Sequence, residues 1–198
     1  MDTTTPLGWS PEHKRLKLFE LIRSVAYRAG DFTLSSGQKS AYYIDSKKVT
    51  LHPLGAILAG ALLYELLPAQ TESVGGLTLG ADPLVTAIAM FSTLKRYPER
   101  GVAAFIVRKE PKKHGSQQWI EGPDLSAGAS VVIVDDVVTT GASGLKAAEI
   151  AGGLGCKVLK IIALVDRDQG GPELYRERGY AYEAVYSISE FLSEPATR

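Results

Sequence analysis

Two neighbouring acids sit inside the segment Val131-Val132-Ile133-Val134-Asp135-Asp136-Val137-Val138-Thr139-Thr140-Gly141-Ala142-Ser143-Gly144. An apolar run, of the kind buried on both faces of a parallel sheet, leads into Asp135 and Asp136. A Thr/Gly/Ser turn then opens a helix. In open α/β sheets ligands sit beyond the carboxyl ends of the strands, where this turn is expected to lie. Free backbone N–H groups from Thr140 to Ser143 can cradle a phosphate, helped by the helix dipole. The hydroxyls of Thr139, Thr140 and Ser143 can add further bonds, and Gly141 lets the backbone approach closely. The carboxylates repel such a phosphate, but they suit vicinal sugar hydroxyls or a hydrated magnesium ion. A phosphate nest beside paired acids describes a site for ribose 5-phosphate. One Asp alone would read as a solvated residue after a strand; the whole string favours the ligand site. There is no Walker phosphate loop, and no G-x-G-x-x-G follows a strand.

A second chemical segment is Arg108-Lys109-Glu110-Pro111-Lys112-Lys113-His114-Gly115-Ser116, with four fixed positive charges against one negative. Pro111 and Gly115 argue against a helix. A charge run of this kind is usually a solvated loop. Beside a separate phosphate nest, it can instead close over a polyanion and exclude water.

These segments need a frame to hold them. Ser10-Pro11-Glu12 reads as a helix start, with Leu18, Ile22, Val25 and Ala29 at helical spacing and Gly30 as terminator. Residues 32–34 and 41–45 read as two short strands around a Ser35-Ser36-Gly37 turn. Residues 53–67 read as a helix ended by Pro68. From Val74 onward strands (74–79, 102–108, 130–134, 158–165, 181–188) alternate with helices (83–96, 143–154, 173–178), and 109–125 reads as a long loop. Such alternation predicts an α/β fold with a central, mostly parallel sheet flanked by helices. Residues 1–198 are expected to form a single domain, its N-terminal ~50 residues making a small cap or hood over the sheet.

The string from Val131 to Ser143 closely resembles the binding motif for phosphoribosyl pyrophosphate (PRPP) of type I phosphoribosyltransferases. The resemblance implies that Asp135 and Asp136 hold the ribose hydroxyls and that Val137, Val138, Thr139, Thr140, Gly141, Ala142 and Ser143 surround the 5-phosphate. Arg108, Lys109, Lys112 and His114 match the pattern Arg-Lys-x-x-Lys-x-His-Gly, the mobile loop of the orotate phosphoribosyltransferase subfamily. There the loop contacts pyrophosphate partly across a dimer interface, which implies a homodimer sharing loop 108–115. Lys109, Asp135 and Asp136 are then the expected catalytic residues, with Thr139 and Arg167 contacting orotate and Mg2+ carried mainly by PRPP. Phe32-Thr33-Leu34-Ser35-Ser36-Gly37 and Tyr42-Tyr43-Ile44-Asp45 resemble the family's hood, and residues 75–83 its pyrophosphate-side loop. In two places some members carry lysine and this chain does not, at Ser35 and in Gly80-Ala81-Asp82-Pro83, so no lysine is carried over there. A transferase for another base is disfavoured by the basic loop and Arg167. A PRPP-sensing regulator without catalysis, or a generic sugar-phosphate module, fits less well, since the catalytic loop is retained.

Composition excludes several other classes. Lys+Arg and Asp+Glu are both 22 in 198 residues, so no global charge favours nucleic acid or a membrane surface. The single Cys156 excludes an internal disulfide. His13 and His52 have no ligand spacing with His114, which disfavours zinc. No signal-peptide core and no bilayer-length apolar run are visible, so a cytoplasmic protein is expected. The chain ends soon after Phe191-Leu192, so no appended decarboxylase is expected.

Overall fold

In the computed structural model, which describes residues 4–33, 39–96, 99, 101–112 and 119–193, the Ser10 hydroxyl caps the first helix. It accepts from the His13 N–H at 3.2 Å, and α1 (Pro11–Leu21) follows, widened into a π turn over Ile22–Ala26. The helix expected to reach Ala29 stops there. Tyr27, Arg28 and Ala29 are taken instead into β1 (Tyr27–Thr33), paired antiparallel with β2 (Lys39–Ile44). Gly30, expected to end a helix, lies with φ 145° where this ladder shifts register between Ala29 and Phe32. Long-range pairing has overridden local periodicity. Residues 34–37 of the hood turn lie outside the described residues, as does His114 with its neighbours at 113–116.

Next come a short helix α2 (Lys47–Thr50), absent from the expected elements, and the apolar α3 (Pro53–Glu65). The alternating part then runs β3 (Ser73–Leu77), α4 (Asp82–Arg96), β4 (Ala103–Val107), β5 (Ile120–Glu121), β6 (Ser130–Val138), α5 (Ala142–Gly153), β7 (Lys157–Asp166), α6 (Gly171–Glu177), β8 (Tyr182–Ser187) and α7 (Ile188–Ser193). The strands form one six-stranded sheet in the order β5-β4-β3-β6-β7-β8. Every pairing is parallel except β4 with β5. The expected α/β architecture with its small two-stranded hood is therefore observed.

Two expectations along the sheet need correction. The segment 109–125 is not all loop: Ile120 and Glu121 pair with Val107 and Ile106 as an edge strand. The strand predicted to end at Val134 continues to Val138, because Asp135, Val137 and Val138 stay in register with Ala163, Val165 and Asp166 of β7. The acids are thus held by a ladder rather than by a loop. Alternation puts successive side chains of β6 on opposite faces. Val132 and Val134 pack in the core that also holds Leu58, Leu84 and Ile88 from α3 and α4. Val131 and Ile133 pack in the other core, with Leu145 and Ala148 of α5 and Tyr175 of α6. Both faces are covered, as a continuous apolar strand requires.

Candidate active site

The same alternation separates the paired acids. Asp136 turns toward the hood side, where the Ser46 hydroxyl donates to its Oδ2. It also rests against Gly80: a Cβ built there would meet Asp136 Oδ1 at 2.3 Å. Asp135 is only 7% exposed, and one of its oxygens accepts from the Asp136 N–H at 3.0 Å. Burial, and then the charge of Asp136, push the Asp135 carboxyl well above the ordinary carboxylate range. Such an acid is kept more protonated in the folded chain than in the unfolded one, so stability falls as pH rises through that window. Asp135→Asn is therefore expected to raise the melting temperature at neutral pH. The gain should vanish below the ordinary Asp pKa, where both states are protonated. A gain independent of pH would remove buried charge as its cause.

Beyond β6 the chain reverses through Gly141, which has φ 81° and stands at the N-cap of α5 without any side-chain cap. No described residue accepts from the backbone N–H groups of Thr140, Gly141, Ala142 or Ser143. Those open donors, with exposed Thr140, Ala142 and Ser143, lie where the sequence reading expects an anion cradle. Tyr175 supports it from below. Its ring lies 3.1 Å from where a Gly141 Cβ would be, and its buried hydroxyl 2.4 Å from where a Gly144 Cβ would be. The turn therefore needs glycine at both positions.

Arg167 follows β7, and its N–H donates to the Val138 carbonyl at 2.9 Å, which ties it to the end of β6. The side chain is 8% exposed. Its Nε donates to the Tyr42 hydroxyl at 3.2 Å and one terminal nitrogen to Ser40 Oγ at 3.0 Å, with the guanidinium over the Tyr42 ring at 4.7 Å. These bonds go to hood residues rather than to Asp166 or Asp168, whose own partners include the Asp168 N–H and Ser187 respectively. A guanidinium has five N–H donors; among the described residues two find partners, Tyr42 and Ser40.

Loop cations Arg108 and Lys112 both pair with Glu121 of β5, at 2.9 Å and 3.0 Å. Lys109 is exposed, and its carbonyl accepts from Lys146 Nζ of α5 at 2.7 Å, linking the loop to the helix behind the phosphate turn. Thr139, Val137 and Val138 occupy the end of β6 and the start of the turn. Ser46, Tyr42, Glu121, Lys146 and Tyr175 were not picked out with these partners. Glu121 lies nine and thirteen residues from its cations, and the other contacts span longer separations; no local spacing marks them.

The family model for the phosphoribosyl transferase domain matches residues 49–184. The chain belongs to the phosphoribosyltransferase family, and within it to the orotate phosphoribosyltransferases. It is 51% identical to the orotate phosphoribosyltransferase of a Nostoc species over 176 residues, covering 89% of this chain and 84% of the relative. The Synechocystis orotate phosphoribosyltransferase is 49% identical over 176 residues, covering 89% and 87%. Among solved structures, Mycobacterium tuberculosis orotate phosphoribosyltransferase in complex with PRPP superposes with a TM-score of 0.71 at 35% identity, over 89% of this chain and 98% of that one.

Proposed function

We propose that the chain transfers the 5-phosphoribosyl group from PRPP to orotate, giving orotidine 5′-monophosphate and pyrophosphate, in pyrimidine biosynthesis. The observation that carries this reading is the convergence, at the carboxyl ends of the interior strands β6 and β7, of an open N–H cradle, the Ser46-held acid Asp136 and a hood-held arginine. The 5-phosphate sits on the N–H groups of Thr140 to Ser143, with hydroxyls of Thr139, Thr140 and Ser143 around it. Asp136, backed by Asp135, holds the ribose hydroxyls. Orotate lies under Tyr42 with its carboxylate on Arg167 and its ring near Thr139.

A ring nitrogen of orotate attacks the anomeric carbon as the bond to pyrophosphate breaks, through a centre with oxocarbenium character. Positive charge grows on the sugar, where Asp136 stabilises it. Negative charge grows on the leaving group, where Lys109, Arg108, Lys112 and His114 of the loop meet it. The anchored phosphate supplies remote binding energy that positions the reacting carbon. Among the described residues no three metal-binding side chains cluster. In this reading magnesium comes in on the pyrophosphate, and Asp136 is the carboxylate that would meet it. When bound, the ion neutralises charge on the departing group.

The working unit in this reading is a homodimer in the cytoplasm, with loop 108–115 reaching the neighbour's site. An exposed apolar groove between α3 and α4, lined by Leu7, Ala56, Ile57, Ala87, Met90 and Leu94, supports a protein partner on that face. No helix among the described residues is long and apolar enough to cross a membrane.

Substrate choice tests the base end of the site. Orotate differs from uracil by the carboxylate that a guanidinium fork recognises. Arg167→Ala is expected to raise the orotate KM by about 100-fold, the cost of an ion-pair hydrogen bond lost from a desolvated site, and the PRPP KM far less. Steady-state kinetics with each substrate varied in turn would check this. An unchanged orotate KM assigns the carboxylate to another cation, with Lys39 and Lys47 next in line.

A further inference from the structure

We propose that Ser46 is a positioning residue for the sugar end of the site, aiming the Asp136 carboxylate through a direct hydrogen bond. Serine immediately before a helix ordinarily caps it, its oxygen accepting from the first-turn N–H groups. Ser46 stands at that place before α2, yet its side chain makes no cap. Its carbonyl accepts from the Val49 and Thr50 N–H groups at 2.9 Å and 2.8 Å, so the helix start is served by the backbone alone. The hydroxyl is left to donate across ninety residues of sequence to Asp136 Oδ2. Ser46 is 5% exposed, so water does not replace that bond readily.

The second side of the seat is Gly80, where the missing Cβ leaves room for the carboxylate. A terminal carboxylate torsion is otherwise broad. Gripped by Ser46 and set against Gly80, it presents one orientation before substrate arrives, and preorganisation of this kind is what positions a reacting sugar. The same stretch of chain reaches the base end, because Ser40 and Tyr42 of β2 hold Arg167. Residues 40–46 thus touch the side chains assigned to both substrates and fix the spacing between them.

This inference rests on Asp136 being a ribose ligand, and the test separates the two. PRPP binding with magnesium is measured by calorimetry for the parent protein, Ser46→Ala, Asp136→Asn and the double variant, with melting temperatures alongside. Ser46→Ala is expected to weaken PRPP binding about tenfold, the usual weight of a hydrogen bond to a charged group. In the Asp136→Asn background the same change should cost no more than about threefold, because the bond that Ser46 can still donate to a neutral amide is weaker than one to a carboxylate. In kinetics, Ser46→Ala should raise the PRPP KM with little change in the orotate KM, a split that general loosening of the fold does not produce. Should Ser46→Ala fail to fold, Ser46→Cys keeps the size with a poor donor and is expected to show the same selective loss. Failure of the parent protein to bind PRPP overturns the functional reading itself. A parent that binds, with Ser46→Ala and Ser46→Cys binding equally well, overturns the role of Ser46. So does a tenfold loss that persists unchanged in the Asp136→Asn background.

Discussion

Asp136→Asn is expected to lower turnover about 100-fold while leaving the fold intact, the size of loss that follows removal of an interaction made mainly in the transition state. The carboxylate lies near the carboxyl end of the interior strand β6, where the proposed reaction builds positive charge on the sugar. Asparagine keeps the shape and can still accept from Ser46, but it carries no charge to oppose that on the ribose. The ribose hydroxyls lose a charged acceptor as well, so the PRPP KM should rise alongside the larger fall in kcat. Asp135→Asn is expected to act in the same direction, through the Asp136 N–H that it holds at 3.0 Å, even as it relieves the burial of an acid. Wild-type turnover in both variants at saturating substrate would remove the acids from the ribose site.

A second large effect is expected in a mixing experiment. In the proposed homodimer, Lys109→Ala and Asp135→Asn parents should each be near background. When subunits exchange, one site of the mixed dimer combines an intact acidic turn with an intact loop, while the other carries both defects. If Lys109 serves the neighbouring site, activity reappears on mixing and approaches one working site per mixed dimer. The structural ground is charge pairing within the chain. Arg108 and Lys112 are held at their own subunit's Glu121, whereas the Lys109 side chain is exposed. A twofold dimer offers it a second anionic site across the interface. Exchange verified by mass spectrometry without return of activity would assign Lys109 to its own subunit.

What the sequence disclosed and what it hid divide along a physical line. The run 130–134, the acids and the Thr/Gly/Ser turn were legible because a buried parallel strand and a phosphate cradle are both local in sequence. The full length of β6 was not, since Asp135 and Asp136 look like a strand's end until β7 is seen to pair beyond them. Tyr27 to Ala29 carry helical spacing yet become a strand, because their partners, Tyr42 to Ile44, lie far along the chain. Ser46 carried no signal, since α2 itself was not expected; only the fold reveals that its hydroxyl bonds Asp136. Glu121 sits in a stretch that looked structureless, and edge pairing with Ile106 brings it to the two loop cations. Arg167 was legible as an arginine at a strand's end, whereas its grip by Tyr42 and Ser40 was not.

The central claim is that this site joins orotate to the ribose of PRPP. It is tested most directly by incubating the purified protein with PRPP and magnesium and, in separate reactions, orotate, uracil, adenine, guanine or hypoxanthine. Pyrophosphate release is followed and the nucleotide product is identified by mass. The account predicts release with orotate alone, in equal amount to orotidine 5′-monophosphate formed. Release with a purine and none with orotate would contradict it, and so would PRPP binding without turnover of any base.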